Sequence, residues 1–202
     1  MSESFSTPAV MDASRRNILL VTSGVGALGA ACVAVPFVST FAPSEKAKAA
    51  GAAVEVDISE LKAGEMKTVE WRGKPVWILK RTPEMLASVK KIPEGDLADP
   101  KSLRNPSELT PAYAKGAHRS IKEDVLVVVG ICSHLGCSPT AKLQGGDVNL
   151  PAEGGFICPC HGSTFDMAGR VYKNKPAPDN LEVPPHMYLS DTRLLIGEDK
   201  KA

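Results

Sequence analysis

The chain is expected to be mainly β, with antiparallel strands, behind a single N-terminal transmembrane helix. Three observations predict this. From Asn17 to Ser44 there is no charged side chain. Beyond Val54, short runs rich in β-branched and aromatic residues alternate with turn-forming Gly, Pro, Asn and Asp. Two Cys/His clusters, Cys132-Ser-His134-Leu-Gly-Cys137 and Cys158-Pro-Cys160-His161-Gly-Ser163, each follow such an apolar run, which sets both on loops at one tip.

Taken in order, Ser14-Arg15-Arg16-Asn17-Ile18-Leu19-Leu20 is a twin-arginine pattern, and residues 1–16 are read as a cytoplasmic N-terminus. Residues 17–44 form the anchor. A spanning helix needs about 20 apolar residues, and Gly and Ala here permit close helix packing in lipid. A cleavable export signal is the alternative, with Ala47-Lys48-Ala49 as a small-x-small site, but secretory apolar cores run only about 7 to 15 residues. Pro36 is a candidate kink. Cys32, inside the run, reads as a buried structural thiol without a chemical role. Lys46 and Lys48 match Arg15 and Arg16 across the segment, so charge alone does not orient it. The twin arginines do, because that route exports folded proteins and puts the bulk of the chain on the periplasmic side of a bacterial inner membrane. That oxidising compartment permits disulfides.

Residues 45–53 lack bulky side chains and read as a flexible neck or weak helix, leaving 54–202 as one globular domain. Strands are expected at Val54–Ile58, Lys67–Trp71 and Val76–Lys80, the last two as a hairpin around Arg72-Gly-Lys-Pro75. Pro83–Lys91 favours a short helix. Pro93–Gly116, crowded with Pro, Asp, Ser and Asn, reads as an ordered surface loop. Asp124–Ile131 is an apolar run feeding the first Cys/His cluster. Gly155–Ile157 and Ser163–Tyr172 frame the second as short strands, and His186–Leu189 with Leu194–Gly197 close the chain as a hairpin. With 24 basic and 23 acidic residues and no basic patch interleaved with aromatics, no bias toward nucleic acid exists.

The two clusters carry the chemistry. Cys132 stands two before His134, and Cys158 three before His161, so each loop offers one thiolate and one imidazole to a common centre. Two thiolates and two imidazoles satisfy tetrahedral zinc, which would make the chain a zinc-stabilised binding module. Zinc knuckles usually take two ligands of one kind, however, and zinc leaves Cys137 and Cys160 without a task. A binuclear iron–sulfur centre explains more, with two Cys on one iron and two His on the other. Neutral imidazoles make such a centre less negative than four thiolates do, so its potential rises. His118 and His186 have no accompanying cysteine; His186 reads as structural, and His118 as lacking partners.

These two loops resemble the Rieske boxes, and the extra cysteine in each resembles the iron–sulfur subunit of bacterial cytochrome bc1 complexes (ubiquinol–cytochrome c reductase). The resemblance spans nearly the whole chain and implies a Rieske-type β-sandwich with one [2Fe–2S] cluster. It implies Cys132 and Cys158 as ligands of the buried iron, His134 and His161 as ligands of the solvent-facing iron, and Cys137–Cys160 as a disulfide. Leu135 matches the residue that shields the cluster, and Ser163 the residue whose hydroxyl bonds a bridging sulfide. Lys175-Pro-Ala-Pro178, followed by Asn180-Leu-Glu-Val-Pro184, resembles the proline loop that covers the cluster. The function implied is oxidation of ubiquinol at the Qo site with proton release, His161 touching the quinol, between cytochrome b and cytochrome c1. Activity belongs to the complex.

One departure stands out: Phe165 occupies the place where many members carry Tyr, whose phenol bonds a ligating sulfur. The ring is kept and the donor lost, so the potential is expected below that of Tyr-bearing relatives, within a class range of roughly −150 to +300 mV. Three neighbouring classes compete. The small Rieske subunit of a molybdenum oxidase, such as arsenite oxidase, shares the boxes and can carry twin arginines, but the anchor and the long insertion Pro93–Gly116 ahead of the boxes argue against it. A soluble dioxygenase ferredoxin would lack both anchor and extra cysteines. A zinc module would be redox-silent.

Overall fold

The computed structural model describes residues 12–104, 109–145, 147, 150–152 and 154–199. Residues 1–11 of the expected N-terminal segment, part of the Pro93–Gly116 loop and the last three residues lie outside this set. The chain forms two units, residues 1–48 and 49–202.

The long element of the first unit is helix α1, Ala13–Ser39. Asp12 caps it by accepting a hydrogen bond from the Ser14 N–H at 3.0 Å, so it starts just before the twin-arginine motif and takes in both arginines ahead of the charge-free run. It ends at Ser39, short of the expected Ser44, with Pro36 in its last turn. At about 1.5 Å per residue its 27 residues span about 40 Å, more than a hydrocarbon core of about 30 Å. Every described side chain on it is exposed, including Cys32, so the expected buried thiol is not sheltered by this chain. Two of its hydroxyls are satisfied within the helix, as suits hydrocarbon: Thr22 donates to Ile18 O at 2.9 Å and Ser39 to Pro36 O at 2.7 Å. The neck contains a six-residue helix, α2, Glu45–Ala50, where Lys48 pairs with Glu45 at 2.7 Å.

Among its described residues the second unit holds three antiparallel three-stranded sheets. The strands are β1 Val54–Asp57, β2 Met66–Trp71, β3 Lys74–Lys80, β4 Val125–Val129, β5 Thr140–Lys142, β6 Gly155–Ile157, β7 Thr164–Phe165, β8 His186–Ser190 and β9 Arg193–Ile196. The basal sheet runs β1-β9-β8, the central sheet β2-β3-β4 and the tip sheet β5-β6-β7. One helix, α3, Pro83–Lys91, has the predicted bounds, because its signals are local: Thr82 Oγ1 caps the Met85 N–H, Pro83 starts the first turn, and Lys90 and Lys91 end the last.

The β2–β3 hairpin is tighter than predicted. Arg72 (φ 52°) and Gly73 (φ 71°) form a two-residue turn of the I′ kind, so β3 begins at Lys74 and Pro75 lies within it. β3 and β4 read as continuous apolar runs because the central sheet is covered on both faces, and side chains alternate between two cores. Val76, Ile78, Val125, Val127 and Val129 face the basal core with Leu194 and Ile196. Trp77, Leu79, Leu126 and Val128 face the upper core with Phe156, Phe165, Met167, Cys132 and Cys158. The upper core thus carries the Cys/His loops on its surface. The expected loop Pro93–Gly116 is ordered in its described parts and contains 3-10 turns at Glu94–Asp96 and Ala112–Ala114.

Candidate metal centre

The first loop leaves β4 and the second leaves β6, and both are closed by the same pair of backbone bonds. In the first, Cys132 N–H donates to Cys137 O at 2.8 Å and Gly136 N–H to Cys132 O at 3.1 Å. In the second, Cys158 N–H donates to Ser163 O at 2.7 Å and Gly162 N–H to Cys158 O at 2.9 Å. Gly136 and Gly162, at φ 82° and 72°, supply the left-handed residue each turn needs. Within this repeat His134 corresponds to Cys160, and Leu135 to His161. That half-shift places the two imidazoles together, with ring centroids 4.7 Å apart and planes at 89°.

The predicted residues form two tiers. Cys132 and Cys158 are buried free thiols at 2% exposure, close enough to share a hydrogen bond. Burial pushes the Cys132 thiol up, helped by Cys158; the His134 backbone N–H and the Ser163 hydroxyl pull it down. Two thiols crowded into an apolar core gain from a bound cation that takes their charge. Above them His134 is half-buried, with its Nδ1 buried and lacking a hydrogen-bond partner, while His161 is exposed. Cys137 and Cys160 form a disulfide joining the loops, and both sulfurs lie within 4.8 Å of Cys158 Sγ. Leu135 is 71% exposed at the apex.

Ser163 is fully buried, and its Oγ accepts the Ala177 N–H at 3.0 Å, leaving its own proton for a sulfur. Phe165 is also fully buried, opposite Phe156 across the β6–β7 pair. The segment Lys175–Asp179 covers this side. Ser133 holds it to the first loop: its Oγ donates to Asp179 O at 2.7 Å and accepts from Asp179 N–H at 3.2 Å. Sequence reasoning passed over Ser133; a small hydroxyl residue next to a ligand-type cysteine was the available signal. It also missed Trp77, which stacks on Phe156 at 5.2 Å and lies against Gly130, where the chain enters the first loop.

The other two histidines stand apart. His186 is structural as expected, with Nδ1 2.8 Å from Pro184 O and its ring edge-on to Tyr113. His118 is buried with Glu123 Oε2 3.6 Å from its Nε2, and neither ring nitrogen makes a hydrogen bond among the described residues.

A profile of the Rieske [2Fe-2S] domain matches residues 52–185, more than half of the chain, and one described as "Ubiquitinol-cytochrome C reductase Fe-S subunit TAT signal" matches residues 7–44. Fold and site therefore define a Rieske [2Fe–2S] protein, whose cofactor is a Rieske-type cluster. The ubiquinol–cytochrome c reductase iron–sulfur subunit of Allochromatium vinosum is 52% identical over 92% of this chain and 89% of that one. Its counterpart in Bradyrhizobium diazoefficiens is 40% identical over 91% and 94%. This chain belongs to that family of ubiquinol–cytochrome c reductase iron–sulfur subunits, which leaves the zinc module without support. A chain titled "Hyperthermophilic respiratory Complex III" aligns over 86% of this chain and 98% of its own, at 25% identity and a TM-score of 0.46. The 7–44 match coincides with α1, in keeping with attachment to a membrane.

Proposed function

We propose that this chain is the membrane-anchored electron carrier of a bacterial ubiquinol–cytochrome c reductase, taking one electron and one proton from ubiquinol held against cytochrome b and passing the electron to cytochrome c1. The observation that carries it is the two-tier donor set: buried thiols of Cys132 and Cys158 beneath the paired imidazoles of His134 and His161, with His134 Nδ1 buried and unpartnered. These four residues would hold the cluster, two thiolates on one iron and two imidazoles on the other. When bound, the cluster supplies a one-electron acceptor of raised potential.

The chain's own residues do the rest. His161, exposed at the tip, would receive the quinol hydroxyl through whichever ring nitrogen the iron leaves free and take up its proton. Leu135 covers the approach beside it with apolar surface. The Cys137–Cys160 bridge keeps the two loops in register, so both imidazoles face the same partner. Ser163 directs its hydroxyl at sulfur and favours the reduced state. Residues 1–16 remain in the cytoplasm, 17–44 cross the inner membrane, 45–53 tether, and 54–202 work on the periplasmic side, where the bridge survives.

The test is low-temperature EPR of membranes carrying the protein, reduced and then titrated with a quinol-site inhibitor. A Rieske-type signal that shifts on inhibitor binding is expected. The same signal without a shift would move the chain to a non-quinol oxidase, such as a molybdenum enzyme, and no signal with zinc in the metal analysis would overturn the reading.

A further inference from the structure

Two buried residues hold left-handed backbone without being glycine, Ser102 at φ 51° and Arg119 at φ 49°, and they bond each other: Arg119 Nε donates to Ser102 Oγ at 2.9 Å. Such conformations are costly and persist where surroundings enforce them, often at functional sites. Both belong to the stretch between α3 and β4, outside the Cys/His loops.

Their partners lead to the cover over the centre. Arg119 is fully buried; its Nη2 donates to Leu181 O at 2.6 Å and to Thr110 Oγ1 at 2.9 Å, and its Nη1 to Ala168 O and Gly169 O at 3.1 and 3.2 Å. Asn180 Nδ2 donates to Ser102 Oγ at 3.2 Å and to Asp99 O at 2.9 Å, while its Oδ1 accepts the Val171 N–H at 2.9 Å. The Asp99 carboxylate accepts from Leu103 and Arg104 N–H, and Arg104 Nη1 reaches Pro178 O at 2.6 Å. The insertion therefore grips the chain just after Ala177, whose N–H is the donor to Ser163 Oγ. A serine oxygen that accepts from a fixed N–H has its own proton confined to the remaining directions.

We infer that Ser102, Arg119 and Asn180 form a brace that sets the reduction potential: as positioning residues they hold Ala177 against Ser163 and so keep the Ser163 proton aimed at sulfur. This rests on the reading of Ser163 given above. The brace explains why several donors from the stretch between α3 and β4 converge on the backbone between Ala168 and Leu181, and why strain is tolerated at its two central residues.

The variant of choice is Ser102→Gly in the full chain, because glycine keeps the positive φ without strain while the hydroxyl is lost. EPR-monitored redox titration should show a lower potential: at fixed ambient potential the oxidised-to-reduced ratio rises at least about threefold, a tenfold change being about 59 mV. Signal intensity per iron should be unchanged. Ser163→Ala should lower the potential further, and adding Ser102→Gly to it should then do nothing, since the brace acts only through that hydroxyl. If Ser163→Ala lowers the potential and Ser102→Gly does not, the brace falls and the role of Ser163 stands. If Ser163→Ala has no effect, the hydroxyl reading falls and the brace with it. Additive shifts would overturn the proposed route. Should Ser102→Gly fail to load the cluster, Thr110→Val, which removes one of the two acceptors of Arg119 Nη2, takes its place under the same criteria.

Discussion

Changing both Cys137 and Cys160 to serine removes the covalent tie between the two loops while nearly keeping side-chain volume. The sequence separation of 23 fixes the magnitude. In the chain-entropy treatment, closing a loop of that length removes about 11.5 cal/mol/K from the unfolded state, or ~3.4 kcal/mol at 25 °C. For a unit of this size each kcal/mol moves the melting midpoint by about 2–4 °C, so a fall of roughly 7–14 °C is expected. The assay is thermal unfolding of the full chain in detergent, followed by circular dichroism, with and without a thiol reductant. Reductant should reproduce the fall in the parent protein and leave the double variant unmoved. A double variant that melts within about 2 °C of the parent, or a parent indifferent to reductant, would refute the reasoning, because the bridge would then not constrain the unfolded chain.

Other perturbations probe the site and its support. His161→Ala should abolish the cluster signal and not just weaken inhibitor response; an intact Rieske spectrum would remove His161 from the ligand set. Phe165→Tyr should raise the potential by restoring a donor to sulfur, at an overpacking cost of about 1–3 kcal/mol in a fully buried position; a potential that stays put would mean the ring's far end points away from the ligands. Gly130→Ala should be strongly destabilising, since a Cβ there would overlap the rigid Trp77 indole just before the first loop; normal stability and cluster content in urea titration would show that the indole yields. The domain should also lose stability as pH falls below 6.5. Burial depresses the His186 pKa from that value, so the unfolded chain takes up its proton first, and the effect is absent above 6.5. His186→Gln, which keeps a donor for Pro184 O, should flatten this dependence in denaturant midpoints measured from pH 7.5 to 5; an unchanged slope would assign it elsewhere, His118 being shifted in the same direction.

What was legible in the sequence was local. The anchor showed as a charge-free run, α3 through its cap, proline and terminal lysines, β3 and β4 as apolar stretches, and the donor set as two short clusters. Each depends on neighbours a few residues apart, where chain connectivity has already chosen the partner. Strand β5 went unnoticed because Thr-Ala-Lys holds no large apolar or aromatic residue, unlike the equally short β6 with Phe156 and Ile157, and the four-residue turn expected at Arg72–Pro75 gave way to a two-residue one.

Only the tertiary structure decided the rest. It joined β1 to β9 across nearly the whole domain, assigned alternate residues of the central sheet to two cores, and closed both loops with matching bonds so that the half-shifted histidines meet. It also buried Arg81, Arg119 and Arg170, which composition alone would leave in water. Their guanidinium groups donate to carbonyls and hydroxyls brought from distant segments, and Arg170 also to the Asp166 carboxylate four residues before it, while Arg81 Nε has no hydrogen-bond partner among the described residues. The sequence by itself therefore determined the chemistry of the centre, because cysteine and histidine carry their ligand properties wherever they stand. Which hydroxyl faces the sulfur, and what holds it there, depends on non-local contacts whose entropy cost is met only when the whole domain folds.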